Sequence, residues 1–125
     1  MQDFRDLKVW QKAHALTLAV CRESAQFPRE ERYGLTSQLR RAAASIEANL
    51  AEGRCRQTDP DFRRFVGIAL GSAAEVDTFL LLARDLSFFN DAAFHPLARE
   101  VGEVKKMLSS LQAKLDGPGH NRGGR

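Results

Sequence analysis

The sequence predicts an all-α fold, an antiparallel up-down-up-down four-helix bundle, from three observations. Four stretches carry apolar residues at the three- and four-residue steps of an α-helix. Short polar or proline-containing segments separate these stretches, and the sequence shows no strand pattern. Helices joined by short connections pack side by side and antiparallel, which gives the bundle.

Length and composition limit the class of protein. The chain of 125 residues suits one domain, which we assign to residues 1–115. Hydrophobic residues make up 43% and charged residues 28%, a soluble balance, and the net charge is only +3. No apolar run approaches the roughly 18 residues that a membrane span needs, so we expect no membrane partner. Residues 116–125 offer no core-forming side chains and are expected to be a disordered tail.

The sequence predicts a cytoplasmic location. Residues 1–8 mix charged and polar side chains, unlike the start of a signal peptide. Cys21 and Cys55 are the two cysteines, and neither has metal-ligating residues around it. This favours reduced thiols over a disulfide or a redox pair.

The first helix is expected to begin near Leu7, with Asp6 as its capping residue, and to end at Phe27. The proline that follows pushes Phe27 out of the helical region. His14 is a lone histidine, so we expect it at the core edge or on the surface rather than as a ligand. Residues 28–34 form a charged connection or, alternatively, an extra helical turn.

The central helix, residues 34–53, carries an apolar stripe and, beside it, a polar seam. A buried polar group without a partner costs about 1–3 kcal/mol, so the seam needs partners from another helix. When the two helices are paired antiparallel, Ser72 and Glu75 of the third helix lie opposite this seam. The predicted polar network comprises Gln38, Arg41, Ser45, Asn49, Glu52, Ser72 and Glu75.

Antiparallel pairing across the turn at residues 54–59 predicts the contacts of this seam. It brings Arg41 beside Glu75, which predicts an ion pair between them. It also brings Glu52 and Asn49 towards two charged residues of the third helix, Arg64 and Asp61. Some arginines that resemble a binding surface are therefore expected to be structural.

The third helix is expected over about residues 60–86, with Thr58 or Asp59 as its cap. Gly67 and Gly71 lie four residues apart inside it. Glycine costs about 1 kcal/mol relative to alanine within a helix, so this pair predicts close contact with the alanine run of the central helix.

The fourth helix is expected over roughly residues 92–115. Pro96 removes a backbone donor from it. This leaves two alternatives, a turn followed by a helix that begins at Pro96, or a kink at that residue. We expect His95 to be a capping or surface residue.

Aromatic residues near the helix ends predict self-association. One small core does not readily enclose them all, and exposed apolar patches usually mark an interface. We therefore expect a ring-like homo-oligomer. These aromatic residues are Phe62, Phe88, Phe89 and Phe94.

Several short motifs carry a resemblance to a known family. They are Asp-Leu-Lys-Val-Trp-Gln-Lys-Ala (6–13), Phe-Pro (27–28), Tyr-Gly-Leu-Thr-Ser-Gln-Leu-Arg-Arg-Ala (33–42), Ser45-Ile46, Asn49–Gly53, Gly71-Ser72 and Glu75. Over about residues 4–115 the chain resembles the four-helix-bundle proteins encoded by intervening sequences of bacterial 23S rRNA genes. Glu47 replaces a proline that the family often carries, so the central helix should be straighter there.

The resemblance implies a homo-oligomer, with a pentamer favoured, that binds RNA or DNA. The family is also similar to the accessory variability determinant of diversity-generating retroelements, a pentameric bundle with a basic surface that works with a reverse transcriptase. Phosphate binding by arginine needs clustered charge rather than a catalytic geometry. The candidate nucleic-acid contacts are Arg40, Arg41, Arg54, Arg56, Arg63 and Arg64.

Other interpretations of the arginines stay open. Glu47, Glu52, Asp59 and Asp61 neutralise much of the same region, so a salt-bridged surface explains the pattern equally well. A protein adaptor whose basic surface meets an acidic partner is the alternative function. An enzyme is disfavoured, because the chain has no Glu-x-x-His pair and its seam serines lack a histidine base. We expect no catalytic residues, no metal and no cofactor.

Overall fold

A computed structural model describes residues 3–117, and within this range the chain forms four α-helices. They are α1 (Lys8–Ser24), α2 (Leu35–Arg54), α3 (Asp59–Asp85) and α4 (Asp91–Asp116). α1 and α3 each pack on both α2 and α4, while the Cα atoms of the diagonal pairs in this range stay more than 8 Å apart. The predicted four-helix bundle is therefore confirmed. Of the predicted tail, Asp116 belongs to α4, and residues 118–125 lie outside the described range.

The first helix begins differently from the prediction. A 3-10 turn, Phe4–Asp6, precedes α1, and the Asp3 carboxylate accepts a hydrogen bond from the Arg5 N–H at 2.9 Å. Leu7 is the capping residue of α1 and has no side-chain hydrogen bond to it. The assignment of Asp6 as the cap is wrong, because Asp6 is part of the preceding turn.

The connection between α1 and α2 contains a second 3-10 turn, Arg29–Glu31, so the alternative of an extra helical turn is the one that the structure adopts. Glu31 then reaches forward to the next helix. Its Oε1 accepts a hydrogen bond from the Leu35 N–H at 3.0 Å, which satisfies one of the first donors of α2.

Side-chain caps set the starts of the last two helices. Thr58 Oγ1 accepts from the Asp61 N–H at 3.3 Å, and Asn90 Oδ1 accepts from the Ala93 N–H at 2.9 Å. Because Asn90 caps α4, the helix begins at Asp91 and includes Pro96. A helix beginning at Pro96 is therefore wrong. His95 is exposed, as predicted for a surface residue.

Aromatic side chains close one end of the bundle. Phe27, from the connection after α1, packs against Phe88 and Phe89 with ring centroids 5.6 and 5.3 Å apart. Phe89 in turn lies 6.2 Å from Phe94. Phe62, at the other end, is also buried, and Phe88 is half-buried. The predicted exposed aromatic patch is wrong, because these rings cover one another and the core.

Gly67 and Gly71 do not act as predicted. A Cβ at Gly67 would contact Gln112 of α4 at 3.2 Å, and a Cβ at Gly71 would meet nothing within 4 Å. Neither residue therefore brings α3 close to the alanines of α2. The close contact is at Gly53 of α2, where a Cβ would lie 2.7 Å from the Cβ of Phe65 and 2.8 Å from Phe62.

Within residues 3–117, α3 is the one helix long and apolar enough to cross a membrane by length and composition. The sequence expectation concerned unbroken apolar runs, and charged residues such as Glu75 and Asp77 interrupt the apolar residues of this helix. In the bundle, α3 buries one side against α2 and α4, yet only 39% of its most apolar stretch is buried. Apolar residues thus also lie on its outer face.

We expect Gly53→Ala to lower the free energy of unfolding by about 1–3 kcal/mol, because the new methyl group has no space beside Phe65. Gly102→Ala, in α4, is the matched control. A Cβ there meets nothing within 4 Å, so alanine should stabilise the helix by about 0.5–1 kcal/mol. Urea unfolding of both variants measures the difference, and equal stabilities would contradict the close contact.

Candidate nucleic-acid interface

The polar seam of α2 meets α3 through hydroxyl groups. Ser45 Oγ and Ser72 Oγ lie 2.8 Å apart, and either can donate. Asn49 Nδ2 donates to the Ser45 carbonyl at 2.8 Å and to Ser45 Oγ at 3.0 Å. This middle part of the predicted network is uncharged, and its polar atoms have partners where the helices touch.

The charged part of the seam differs from the prediction. Arg41, Glu75 and Gln38 are exposed, and within residues 3–117 no ion pair joins Arg41 to Glu75. Both residues line a cleft of about 310 Å³ between α2 and α3, beside Phe79. The predicted pair is wrong because both charges can stay in water, where a surface ion pair gains little.

Near the turn between α2 and α3, charges pair with close neighbours in sequence. Arg56 Nη2 donates to Glu52 Oε2 at 2.8 Å, and Arg56 Nε lies 3.7 Å from Asp61. Arg64 donates to Asp61 Oδ1 at 3.0 Å. The predicted contacts from Glu52 and Asn49 to Arg64 and Asp61 are therefore not the ones formed. Partners three or four residues away on one helix are nearer than those on the next.

Three of the predicted arginines gather around two aromatic rings at this turn. The Arg56 and Arg64 guanidinium carbons lie 4.8 and 4.5 Å from the Phe65 ring centre, and that of Arg54 lies 5.8 Å from the Phe62 ring centre. Cation–π contacts of this kind hold guanidinium groups in place. Arg56 and Arg64 are exposed, whereas Arg54 is half-buried. We name Arg54, Arg56 and Arg64 the turn cluster.

Arg40 and Arg63, two of the predicted nucleic-acid contacts, bind other helices of the bundle. Arg40 Nε donates to Ser24 Oγ at 2.8 Å, and its Nη2 donates to the Cys21 carbonyl at 3.0 Å. The Cys21 carbonyl belongs to the last turn of α1, where a cation is favourable. Arg63 forms an ion pair with Asp116 at the end of α4. Of the six arginines, Arg40 and Arg63 therefore join one helix to another.

His14 is exposed and hydrogen-bonded, as the sequence predicts for a core-edge or surface residue. Its Nδ1 lies 2.8 Å from Glu47 Oε2, and its ring stacks on Trp10 with centroids 5.0 Å apart. No spacing rule signals this contact, because His14 and Glu47 come from different helices. At Glu47, where the family often carries a proline, α2 continues without interruption.

A second group of arginines lies outside the predicted set. Arg29 and Arg32, which the sequence places in a charged connection, line one cleft together with Arg40. Among the residues that the structure describes, no group of three or more His, Cys, Asp or Glu side chains is placed to hold a metal ion.

Comparisons with known proteins concern the family and the fold. The family model described as 23S rRNA-intervening sequence protein matches residues 5–110. The fold is similar to the crystal structure of a protein of unknown function from the S23 ribosomal protein family of Bacteroides thetaiotaomicron, with a TM-score of 0.78 at 22% identity. That match covers 83% of this chain and 97% of the other. The sequence has no significant match among curated proteins.

We expect Arg40→Ala to destabilise the protein by about 1–3 kcal/mol, because it removes two charge-assisted hydrogen bonds between α1 and α2. Arg22→Ala, an exposed arginine of α1, is the matched control and should change stability by less than about 0.5 kcal/mol. Thermal and urea unfolding would compare them. Equal effects would show that the Arg40 contacts contribute nothing.

Proposed function

This chain belongs to the 23S rRNA-intervening sequence protein family, and we propose that it works without catalysis, as a homo-oligomer that binds RNA or DNA. The proposed self-association is supported by the exposed apolar side chains on the outer face of α3. The nucleic-acid part is supported by the turn cluster and by a net charge that multiplies with each added copy.

The outer face of α3 is apolar. Ile68, Leu81 and Leu82 keep 42–44% of their surface exposed, and Leu86, just after the helix, keeps 51%. Between these side chains lie exposed small residues, including Gly71, where a Cβ would meet nothing within 4 Å. Glu75 and Thr78 are also exposed on α3, between Ile68 and the leucines. Exposed large apolar side chains gathered on one helix typically mark a protein interface.

A second copy of the chain is the partner that we propose for this face. Arg41 and Glu75 lie beside it, carry opposite charges and form no ion pair with each other. In a ring each copy meets the next through two different patches, and either charge can pair there with an opposite charge of the neighbouring copy. The family resemblance favours five copies in a ring.

We expect light scattering to give an oligomer mass for the protein at micromolar concentration, and a lower mass for Leu82→Asp. The aspartate places a charge in an apolar interface, where its desolvation is costly. Leu18→Asp, on α1, is the matched control, because Leu18 and Leu82 are each 44% exposed. A monomeric parent protein, or equal masses for the two variants, would contradict an interface on α3.

Nucleic-acid binding is proposed to use the charge of the assembled particle. Five copies at +3 each would carry about +15. Residues 3–117 present no recognised base-reading motif, so we expect phosphate contact with little sequence preference. Binding of this kind releases counterions and falls steeply with salt.

We expect replacement of Arg54 and Arg56 together by Ala to weaken binding of a long RNA and of duplex DNA. Arg56 is exposed, and Arg54 is half-buried at the end of α2. We expect the melting temperature to stay near that of the parent protein, and a thermal melt of the variant checks that a loss of affinity is not a loss of folding. Titration at low and moderate salt measures the affinity. Arg22→Ala with Arg99→Ala removes the same charge from exposed positions elsewhere and serves as the control.

The alternative function is an adaptor for an acidic protein partner. It is favoured by the contacts of Arg56, Arg63 and Arg64, each of which already pairs with a carboxylate. Absence of nucleic-acid binding at low salt, with the oligomer intact, would favour the adaptor over the nucleic-acid protein.

A further inference from the structure

The connection between α1 and α2 forms a cleft whose charge is entirely positive. Its volume is about 330 Å³. Three arginines line it, Arg29, Arg32 and Arg40, together with the side chains of Ser24 and Thr36, and no acidic residue does. Guanidinium groups and hydroxyls that converge on one space are suited to the oxygens of a phosphate group.

The donors of this cleft are available to a ligand. Arg29 and Arg32 are exposed and form no ion pair within residues 3–117. Arg40 is fixed through Nε and Nη2 to the end of α1, which leaves its Nη1 without an acceptor in the same range. The nearest acids in sequence are Glu30 and Glu31, and neither lines the cleft. Glu31 Oε1 accepts the Leu35 N–H. The cleft thus combines one rigid and two adjustable arginines.

An exposed aromatic ring lies next to these arginines. Tyr33 keeps 88% of its surface exposed, the highest value among the large apolar and aromatic side chains of the described residues. The Arg32 guanidinium carbon lies 6.0 Å from its ring centre. Burying an aromatic ring stabilises a fold, so a ring held in water beside a phosphate-binding group is placed to stack on a ligand.

We propose that this cleft binds a single-stranded segment of nucleic acid, with the arginines on a phosphate and Tyr33 stacked on the adjacent base. The proposal rests on the nucleic-acid function proposed above and places a contact outside the turn cluster. Positively charged grooves combined with aromatic stacking are the general means of binding single strands. A duplex is a poorer ligand here, because its bases are already stacked inside the helix.

The test is fluorescence anisotropy of a short labelled single-stranded oligonucleotide and of the matching duplex. Tyr33→Ala should weaken single-strand binding by about fivefold to a hundredfold, and Tyr33→Phe, which keeps the ring, should bind as the parent does. Arg29→Ala with Arg32→Ala should lower the slope of log affinity against log salt by about 1.4. Both residues are exposed, so the melting temperature should not change.

Control variants distinguish binding in this cleft from the nucleic-acid binding proposed for the protein as a whole. Arg22→Ala with Arg99→Ala removes two exposed arginines elsewhere and should weaken binding less than the cleft variant. Equal weakening by both double variants would contradict binding of the strand in the cleft. Salt-dependent binding of a long RNA would in that case still support the nucleic-acid function. Absence of all binding at low salt would overturn both.

Competition distinguishes a strand from free phosphate. A mononucleotide should displace the oligonucleotide at lower concentration than inorganic phosphate does, because it supplies a base for Tyr33 as well as a phosphate. Equal displacement by both would overturn the stacking role of Tyr33, since the cleft would then recognise phosphate alone.

Discussion

The close approach of α2 to α3 at Gly53 determines how the rest of the bundle is arranged. Gly53 leaves no room for a side chain between the helix and Phe65, and the same pair of helices then brings Ser45 to 2.8 Å from Ser72. With one side of α3 held against α2 and another against α4, the remaining side faces outward. The apolar residues on that side, including Ile68 and Leu82, are exposed as a consequence.

The helices could be predicted from the sequence because each depends on local signals. Apolar spacing marks the buried faces, and Thr58 caps α3 as its sequence position indicates. Helix α4 shows the limit of such signals. Pro96 suggested a late start, but the cap at Asn90 is strong enough for the helix to begin earlier and to accept the loss of one backbone hydrogen bond.

The candidate site was harder to predict, because partners of long charged side chains depend on tertiary distances of a few ångströms. Periodicity places Arg41 and Glu75 on facing helices, yet both remain in water. The contacts of Arg40 with the end of α1 depend on how α1 and α2 pair, which no motif specifies. The Arg29–Arg32–Arg40 cleft has the same origin, since a 3-10 turn brings together residues that lie on separate elements.

The distribution of charge links the assembly and the nucleic-acid binding that we propose. Around the turn cluster, Glu52 and Asp61 already neutralise part of the positive charge, so a single copy offers nucleic acid only a weak field. No acid lines the cleft beside Tyr33, but in the proposed complex it would hold only one phosphate and one base. Copies joined through α3 would present several such clefts to one strand. Each contact after the first would then form at a high effective concentration, so weak sites together would bind a long strand firmly.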